Sequence, residues 1–281
     1  MISVIMPTFN RAKTIQRSID SVLKQTYQNL ELIIVDDNST DNTIEIIKSI
    51  PDDRIKLIAH AKNKGASAAR NTGIQAALGD YIAFQDSDDE WIYNKLDIQI
   101  KELLSYNVDV VSCAYYQHKN GKIKKLPIVE IEDNNIFSML LYGNFIGTPS
   151  ILGKRECFIN ELFDERLPRF QDWDLMLRLA QKCKIHFIND SLMNAYVQTN
   201  SLSENHSSAI VALEIIMGRN IEALKADNKA MSSMYKKMGI FKMKTNDFTT
   251  NYYHMAMDVG GFDWKILIRL IEFTIRKKMR K

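Results

Sequence analysis

The chain has 281 residues, 46% hydrophobic and 25% charged, enough for one large folded domain plus an appendage. Its formal net charge of +3 is too small to name nucleic acid as a partner, and none is expected. Cys113, Cys157 and Cys183 form no CxxC pair, so neither a disulfide framework nor a zinc site is expected, and a reducing compartment fits best. In chain order, ISVIM at 2–6 ends at Pro7 and reads as a buried strand. The opening lacks the basic leader and long apolar run of a signal peptide, and no run of about 18 apolar residues follows. A cytoplasmic protein without a transmembrane helix is therefore expected. Residues 14–23 place Ile15, Ile19, Val22 and Leu23 on one helical face. ELIIV at 31–35 is a second strand. Thr40 or Asp41 is placed to cap a helix with Ile44, Ile47 and Ile50 on its face. Residues 55–59 read as a third strand, the alanine-rich 65–77 as a helix, and 81–84 as a fourth strand. Beyond these, 108–114 reads as a strand, Asn120-Gly121 as a hairpin turn, 136–142 as a helix, 148–152 as extended, and 172–183 as helical. From about residue 205 the pattern is helical to the end.

Strands alternating with helices predict a parallel sheet wrapped by helices, with ligands bound beyond the carboxyl ends of the strands. Three such ends carry polar residues: Pro7-Thr8-Phe9-Asn10, Asp36-Asp37-Asn38-Ser39 and Asp86-Ser87-Asp88-Asp89. Carboxylates crowded into four residues repel one another and suit a hard divalent cation that also holds phosphates. The same cluster also reads as a solvated turn that caps a helix starting near Trp91. Asp36-Asp37 reads either as another turn or as a hydrogen-bond acceptor for a base or ribose. In NKGASAARNTG at 63–73, small residues and a helix start favour an anion, and Arg70 suits a phosphate or a carboxylate. An alanine-rich structural helix is the alternative.

Taken together these segments resemble the family 2 glycosyltransferases, in order and spacing as well as content. VIMPTFNR resembles the family's opening strand and loop, ELIIVDDNSTDNT its second strand and acidic pair, and NKGASAARNTGI its middle helix. GDYIAFQDSDDEW resembles its DxD site and PRFQDWDLMLRL its acceptor-side motif. The resemblance covers residues 1–203 and implies an α/β GT-A fold, Rossmann-like, over 1–204, followed by a C-terminal helical region, 205–281. It implies an inverting, metal-dependent transferase that moves a sugar from a nucleotide-sugar donor, a UDP-sugar by family habit, to a carbohydrate or lipid-linked glycan acceptor. The process implied is cell-surface polysaccharide, teichoic acid or lipopolysaccharide synthesis. Donor-binding residues would be Pro7, Thr8, Asn10, Asp36, Asp37, Asn63, Arg70, Asp86 and Ser87. Asp88 and Asp89 would hold Mn²⁺ or Mg²⁺, and Asp172 would be the catalytic base. Asp174 is its rival, and also reads as a carboxylate favoured by the start of a helix.

Two positions depart from the family pattern. Gln171 stands where an acid is usual, and Gln198 stands where a histidine is common, with His206 as either a substitute or a surface residue. Phe170, Trp173 and Tyr196 read as either core aromatics or a sugar-stacking face. A nucleotidyltransferase would want glycines in the loop after the first strand, and PTFNRAKT has none. A non-catalytic carbohydrate-binding scaffold would not need the full carboxylate set. At the end of the chain, Trp264, Ile268, Ile271 and Ile275 share a helical face that runs into Arg276, Lys277, Lys278, Arg280 and Lys281. Residues 262–281 are thus expected either to touch a membrane surface peripherally or to pack on protein, a homodimer interface included.

Overall fold

The computed structural model describes residues 1–197, 205–245, 251–261, 263, 264, 266 and 268. The elements in order are β1 (Ile2–Thr8), α1 (Ile15–Leu23), β2 (Leu30–Asp36), α2 (Thr43–Lys48), β3 (Ile55–Ala59), α3 (Ala66–Ala76) and β4 (Tyr81–Phe84). Then come β5 (Glu90–Trp91), α4 (Lys95–Ser105), β6 (Val110–Lys119), β7 (Lys122–Leu126), α5 (Ile136–Tyr142), β8 (Leu152–Lys154), α6 (Arg155–Asn160), α7 (Gln171–Leu179) and β9 (Ile185–Tyr196). Last are α8 (His206–Arg219), α9 (Ile221–Ala226), α10 (Asn228–Lys244) and α11 (Asn251–Gly260). The chain divides into two compact units. One holds Met1–Ile136, Phe145–Glu165 and Asp172–Gln198; the other holds Phe137–Asn144, Arg166–Gln171 and Thr199–Lys281.

The first unit is built on one mixed sheet in the order β3-β2-β1-β4-β8-β6-β9-β5, with β7 paired to β6. The pairs β3·β2, β2·β1 and β1·β4 are parallel, as the alternation of strand and helix requires. β1 is buried along its whole length, which is why it reads as a continuous apolar run rather than an alternating one. Ile15, Ile19 and Val22 of α1 are fully buried in the same core. Gly73 in α3 sits so close to β1 that a Cβ there would overlap Ile5. The carboxyl ends of β1, β2 and β4 therefore open on one rim.

Three local expectations are corrected. Residues 148–150 form a 3-10 turn, not a strand, because the Ser150 amide and hydroxyl both donate to the Gly147 carbonyl, at 2.9 and 2.6 Å. The helix after the acidic cluster begins at Lys95, since Glu90–Trp91 pairs with β9 first. The cluster is thus not a helix cap. The second helix starts at Thr43, one residue beyond an Asn42 N-cap, although Asp41 does accept the Thr43 amide at 3.1 Å.

In the second unit, Asn205 caps α8 through the Ser208 amide at 3.0 Å, and Asp227 caps α10 through the Ala230 amide at 3.0 Å. α10 and α11 pack through Gly239 against the Tyr253 ring, and Ser232 Oγ donates to the Ala256 carbonyl at 2.7 Å. Ile266 is buried while Trp264 and Ile268 are exposed; residues 269–281, with the basic end, lie outside the described residues. Among the described residues no helix is long and apolar enough to cross a membrane.

Candidate active site

The acidic loop after β4 is held by α1. Thr14 Oγ1 donates to the Ser87 carbonyl at 2.9 Å, an Arg17 guanidinium nitrogen donates to the Asp88 carbonyl, and Ser18 Oγ donates to the Asp89 carbonyl at 2.7 Å. Three successive carbonyls thus meet side chains spaced i, i+3, i+4 on one helical face. Gln85 Nε2 adds a second bond to the Asp89 carbonyl at 3.0 Å. With its main chain fixed, the loop turns its carboxylates to different partners. Asp86 Oδ1 lies 2.7 Å from Arg70 Nη2. Asp88 Oδ2 is 3.5 Å from Arg11 Nη2, and its side chain is 19% exposed. Asp89 is buried and accepts the Tyr196 amide at 2.9 Å, which ties the loop to the end of β9.

Burial, and then the charge of Asp86, push the Asp88 carboxyl above its ordinary value, while Arg11 and Arg17 pull it back. Burial followed by Asp86 and Asp88 push Asp89 well above its ordinary value. Both shifts have the same cause. Negative charge is crowded where water is scarce, so added positive charge would be favourable. Arg17 also lies 4.0 Å from the centre of the Tyr196 ring, a cation–π contact.

At the end of β2 the two aspartates part company. Asp36 is fully buried and closes its own turn, accepting the Ser39 amide at 2.9 Å and the Ser39 hydroxyl at 2.5 Å. Asp37 binds the loop before α3: its oxygens accept the Lys64 and Gly65 amides at 2.9 and 2.7 Å, and Oδ1 lies 2.8 Å from His60 Nδ1. Asn63 Nδ2 donates to the Asp37 carbonyl at 3.2 Å. Asn10, at φ 52°, links the first two rim loops: its amide donates to Ser39 Oγ at 2.9 Å and its Oδ1 accepts the Thr40 amide at 2.8 Å. Pro7 is buried in β1 opposite Val35.

Thr8 Oγ1, Ser67 Oγ, Arg70 Nε and Gln85 Oε1 are buried without a hydrogen-bond partner. They come from the ends of β1 and β4 and from the first turns of α3, the segments that carry the predicted donor set. Buried polar atoms seldom go unmatched, so a polar ligand or water suits this position. Asn71, by contrast, is used for the fold. It exchanges hydrogen bonds with the Phe163 main chain, donating at 2.9 Å and accepting at 2.9 Å.

Asp172 stands in the first turn of α7, half-buried, and accepts the Trp173 amide at 2.8 Å. Tyr115 on β6 connects it to the acidic loop: burial, then the charges of Asp172 and Asp89, push this phenol up to about 12. The two carboxylates therefore act on one hydroxyl. Asp174 is buried and bridged to Arg178 Nε at 2.9 Å, the structural use foreseen for it. Trp173 is 1% exposed and belongs to the core, not to a sugar-stacking face. Tyr196 is half-buried and already stacked by Arg17 and His118. Phe170 and His206 both lie near Phe241 in the second unit, at ring-centroid distances of 6.1 and 5.8 Å. Gln198 lies outside the described residues.

Arg11, Arg17, His60 and Tyr115 were not singled out from sequence. Thr14, Arg17 and Ser18 did carry a signal, a polar i, i+3, i+4 set on a helix whose other face is apolar. Tyr115 carried none.

Comparison with known proteins gives the same outline. A family described as glycosyl transferase family 2 matches residues 3–156. The chain is 33% identical to WfaP of Escherichia coli, UDP-Glc:alpha-D-GlcNAc-diphosphoundecaprenol beta-1,3-glucosyltransferase, over 75% of this chain and 83% of that one. Its fold matches Staphylococcus aureus TarS in complex with UDP-GlcNAc at a TM-score of 0.69 and 18% identity, over 91% of this chain and 81% of that one. It also matches mannosyltransferase PcManGT from Pyrobaculum calidifontis, solved with GDP-Man and Mn²⁺, at a TM-score of 0.65 and 17% identity, over 98% and 79% of the two chains. The chain spans about half the length of several other curated relatives it matches.

Proposed function

We propose that this chain, which belongs to glycosyl transferase family 2, moves a sugar from a nucleotide-sugar donor to an acceptor hydroxyl with inversion at the anomeric carbon. A UDP-sugar donor and a lipid-linked or surface glycan acceptor are the substrate classes, by analogy with what WfaP is named for. On this reading the catalytic domain covers residues 1–204 and a helical region follows it. The observation that carries the reading is Tyr115, a single buried phenol acted on by both the DxD-loop carboxylate Asp89 and the helix-start carboxylate Asp172. Inverting transfer needs two acidic groups on opposite sides of one reacting centre.

The division of labour follows from the chemistry. Asp172 takes the proton of the acceptor hydroxyl as it attacks, a general-base role typically worth about 10²–10⁴-fold. Thr8, Ser67 and Arg70 offer unmatched polar atoms to the donor, and the Asp37 loop shapes the base side. A divalent cation fits the acidic loop on its own merits: Asp88 is partly open, crowded by like charge, and only loosely paired with Arg11. Among the described residues no three His, Cys, Asp or Glu side chains form a ready-made cage. A cation at Asp88 would therefore complete its shell with phosphate oxygens and water. When bound it would supply Lewis-acid stabilisation of the departing diphosphate.

The test is a panel of nucleotide sugars with Mn²⁺, read as donor hydrolysis and as transfer. Asp88→Ala is expected to abolish both. Asp172→Asn is expected to keep donor binding and remove transfer. Full transfer by Asp172→Asn, or no turnover of any nucleotide sugar by the wild-type chain, would overturn the reading.

A further inference from the structure

We propose that the β6–β7 hairpin is a docking element for an anionic lipid bilayer. Residues 110–129 contain Lys119, Lys122, Lys124 and Lys125 and no aspartate or glutamate. β7 is exposed along Lys122 to Lys125 and pairs with β6 alone, so its outer edge is open. The register makes Tyr116–Lys125 and His118–Ile123 cross-strand pairs on one face, and Lys119–Lys122 and Gln117–Lys124 pairs on the other. Lysines thus stand on both faces of the hairpin tip. None of the four lysines has a carboxylate partner, while lysines elsewhere, such as Lys154 and Lys236, are paired at 2.7 and 2.6 Å. Beside them the hairpin exposes large aliphatics: Ile123 is 64% exposed, Ile128 73% and Val129 64%.

Lysines on a sheet edge have an ordinary use, which is to repel a second strand. That use does not call for three exposed aliphatic side chains, which would favour the association the lysines oppose. Both features fit one occupant. At a headgroup layer the lysine stems lie along apolar surface while their ammonium groups meet phosphates, and the aliphatics enter the acyl boundary. Near an anionic surface each lysine contributes a factor of about five in affinity, so four amount to on the order of several hundredfold. The placement has a use. β6 carries Tyr115 at its centre, and His118 near its tip stacks 4.6 Å from Tyr196, so a docked hairpin would set the Asp172 side of the first unit against the membrane. The inference does not depend on the transfer reaction, because its test reads binding.

The full-length protein is sedimented with vesicles of phosphatidylcholine, with and without about one-third phosphatidylglycerol, at low salt. The wild type is expected to bind the anionic vesicles at least tenfold more tightly. Replacing all four lysines by glutamine is expected to lower that affinity at least tenfold, with an unchanged melting temperature as the control for folding. Ile123→Trp keeps every lysine and reports independently: its added emission should shift to the blue on vesicle addition and be quenched by brominated lipid. Wild-type affinity in the glutamine variant, an Ile123→Trp signal unmoved by vesicles, or binding to soluble polyanions without binding to vesicles would overturn the proposal.

Discussion

Arg17 donates to the main-chain carbonyl of Asp88, not to its carboxylate. One cation thereby fixes the loop without neutralising the acid the loop presents. Arg17→Met should cost about 10–100-fold in kcat/KM, the loss expected from one charged hydrogen bond. It should also raise the cation concentration needed for half-maximal rate. Arg17→Lys keeps a donor but loses the planar stack on Tyr196, so it should recover part of the rate. A cation titration unchanged in Arg17→Met would show that the loop keeps its shape without this contact.

Lys95 is fully buried, 4.0 Å above the Trp91 ring, with Gln99 Oε1 at 2.5 Å. Burial lowers its pKa from 10.5 to about 8. Below pH 8 both the folded and unfolded chains carry the proton, and the folded state bears the full cost, roughly 3 kcal/mol. Between pH 8 and 10.5 only the unfolded chain holds it, so this group's contribution to stability rises with pH. Lys95→Met should therefore stabilise the protein most below pH 8, less the lost cation–π contact of about 0.5–2 kcal/mol. The gain should shrink toward pH 10.5. Cys113, pushed up to about 11 by burial, is present in both chains, so its own titration largely drops out of the difference. Denaturant unfolding of both proteins across this range is the measurement, and a pH-independent difference would contradict the account.

Gly73 belongs to a segment whose small residues suggested close approach to a ligand. The structure gives this one a packing role: an added Cβ would overlap Ile5 in the centre of the sheet. Gly73→Ala should cost about 1–3 kcal/mol of stability, the usual range for overpacking. Donor affinity of the folded fraction should stay the same. A large affinity loss with an unchanged melting temperature would return Gly73 to the site.

His60 bridges Asp37 and Thr72, with Nε2 3.0 Å from Thr72 Oγ1. Removing it in His60→Ala leaves a buried carboxylate one partner short, a loss of about 1–3 kcal/mol. Since Asp37 also holds the Lys64 and Gly65 amides, donor affinity should weaken along with stability. Thermal melts with and without UDP would separate the two effects, and an unaltered UDP-induced shift would confine His60 to the fold.

The parallel half of the sheet was legible because buried strands announce themselves as unbroken apolar runs, as ISVIM and ELIIV do. The rim followed from the rule that such strands present their carboxyl ends together. β9 was missed because IHFINDSLMNAY mixes polar and apolar residues in a strand that borders both core and surface. Asp36 and Asp37 look alike in sequence, yet one closes its own turn and the other organises a loop 26 to 28 residues away. Nothing local distinguishes them, since the difference lies in which main-chain amides the fold brings near. The same limit hid Arg17, because a sequence names side chains but does not tell where a distant carbonyl points.

The grip of Thr14, Arg17 and Ser18 on three consecutive carbonyls has a practical corollary for anyone who would transplant this chemistry. Grafting residues 86–89 alone onto another scaffold would carry over the acids without the jig that aims them. The transferable unit is a discontinuous pair, one turn of helix and one tetrapeptide roughly seventy residues apart, and the two must travel together.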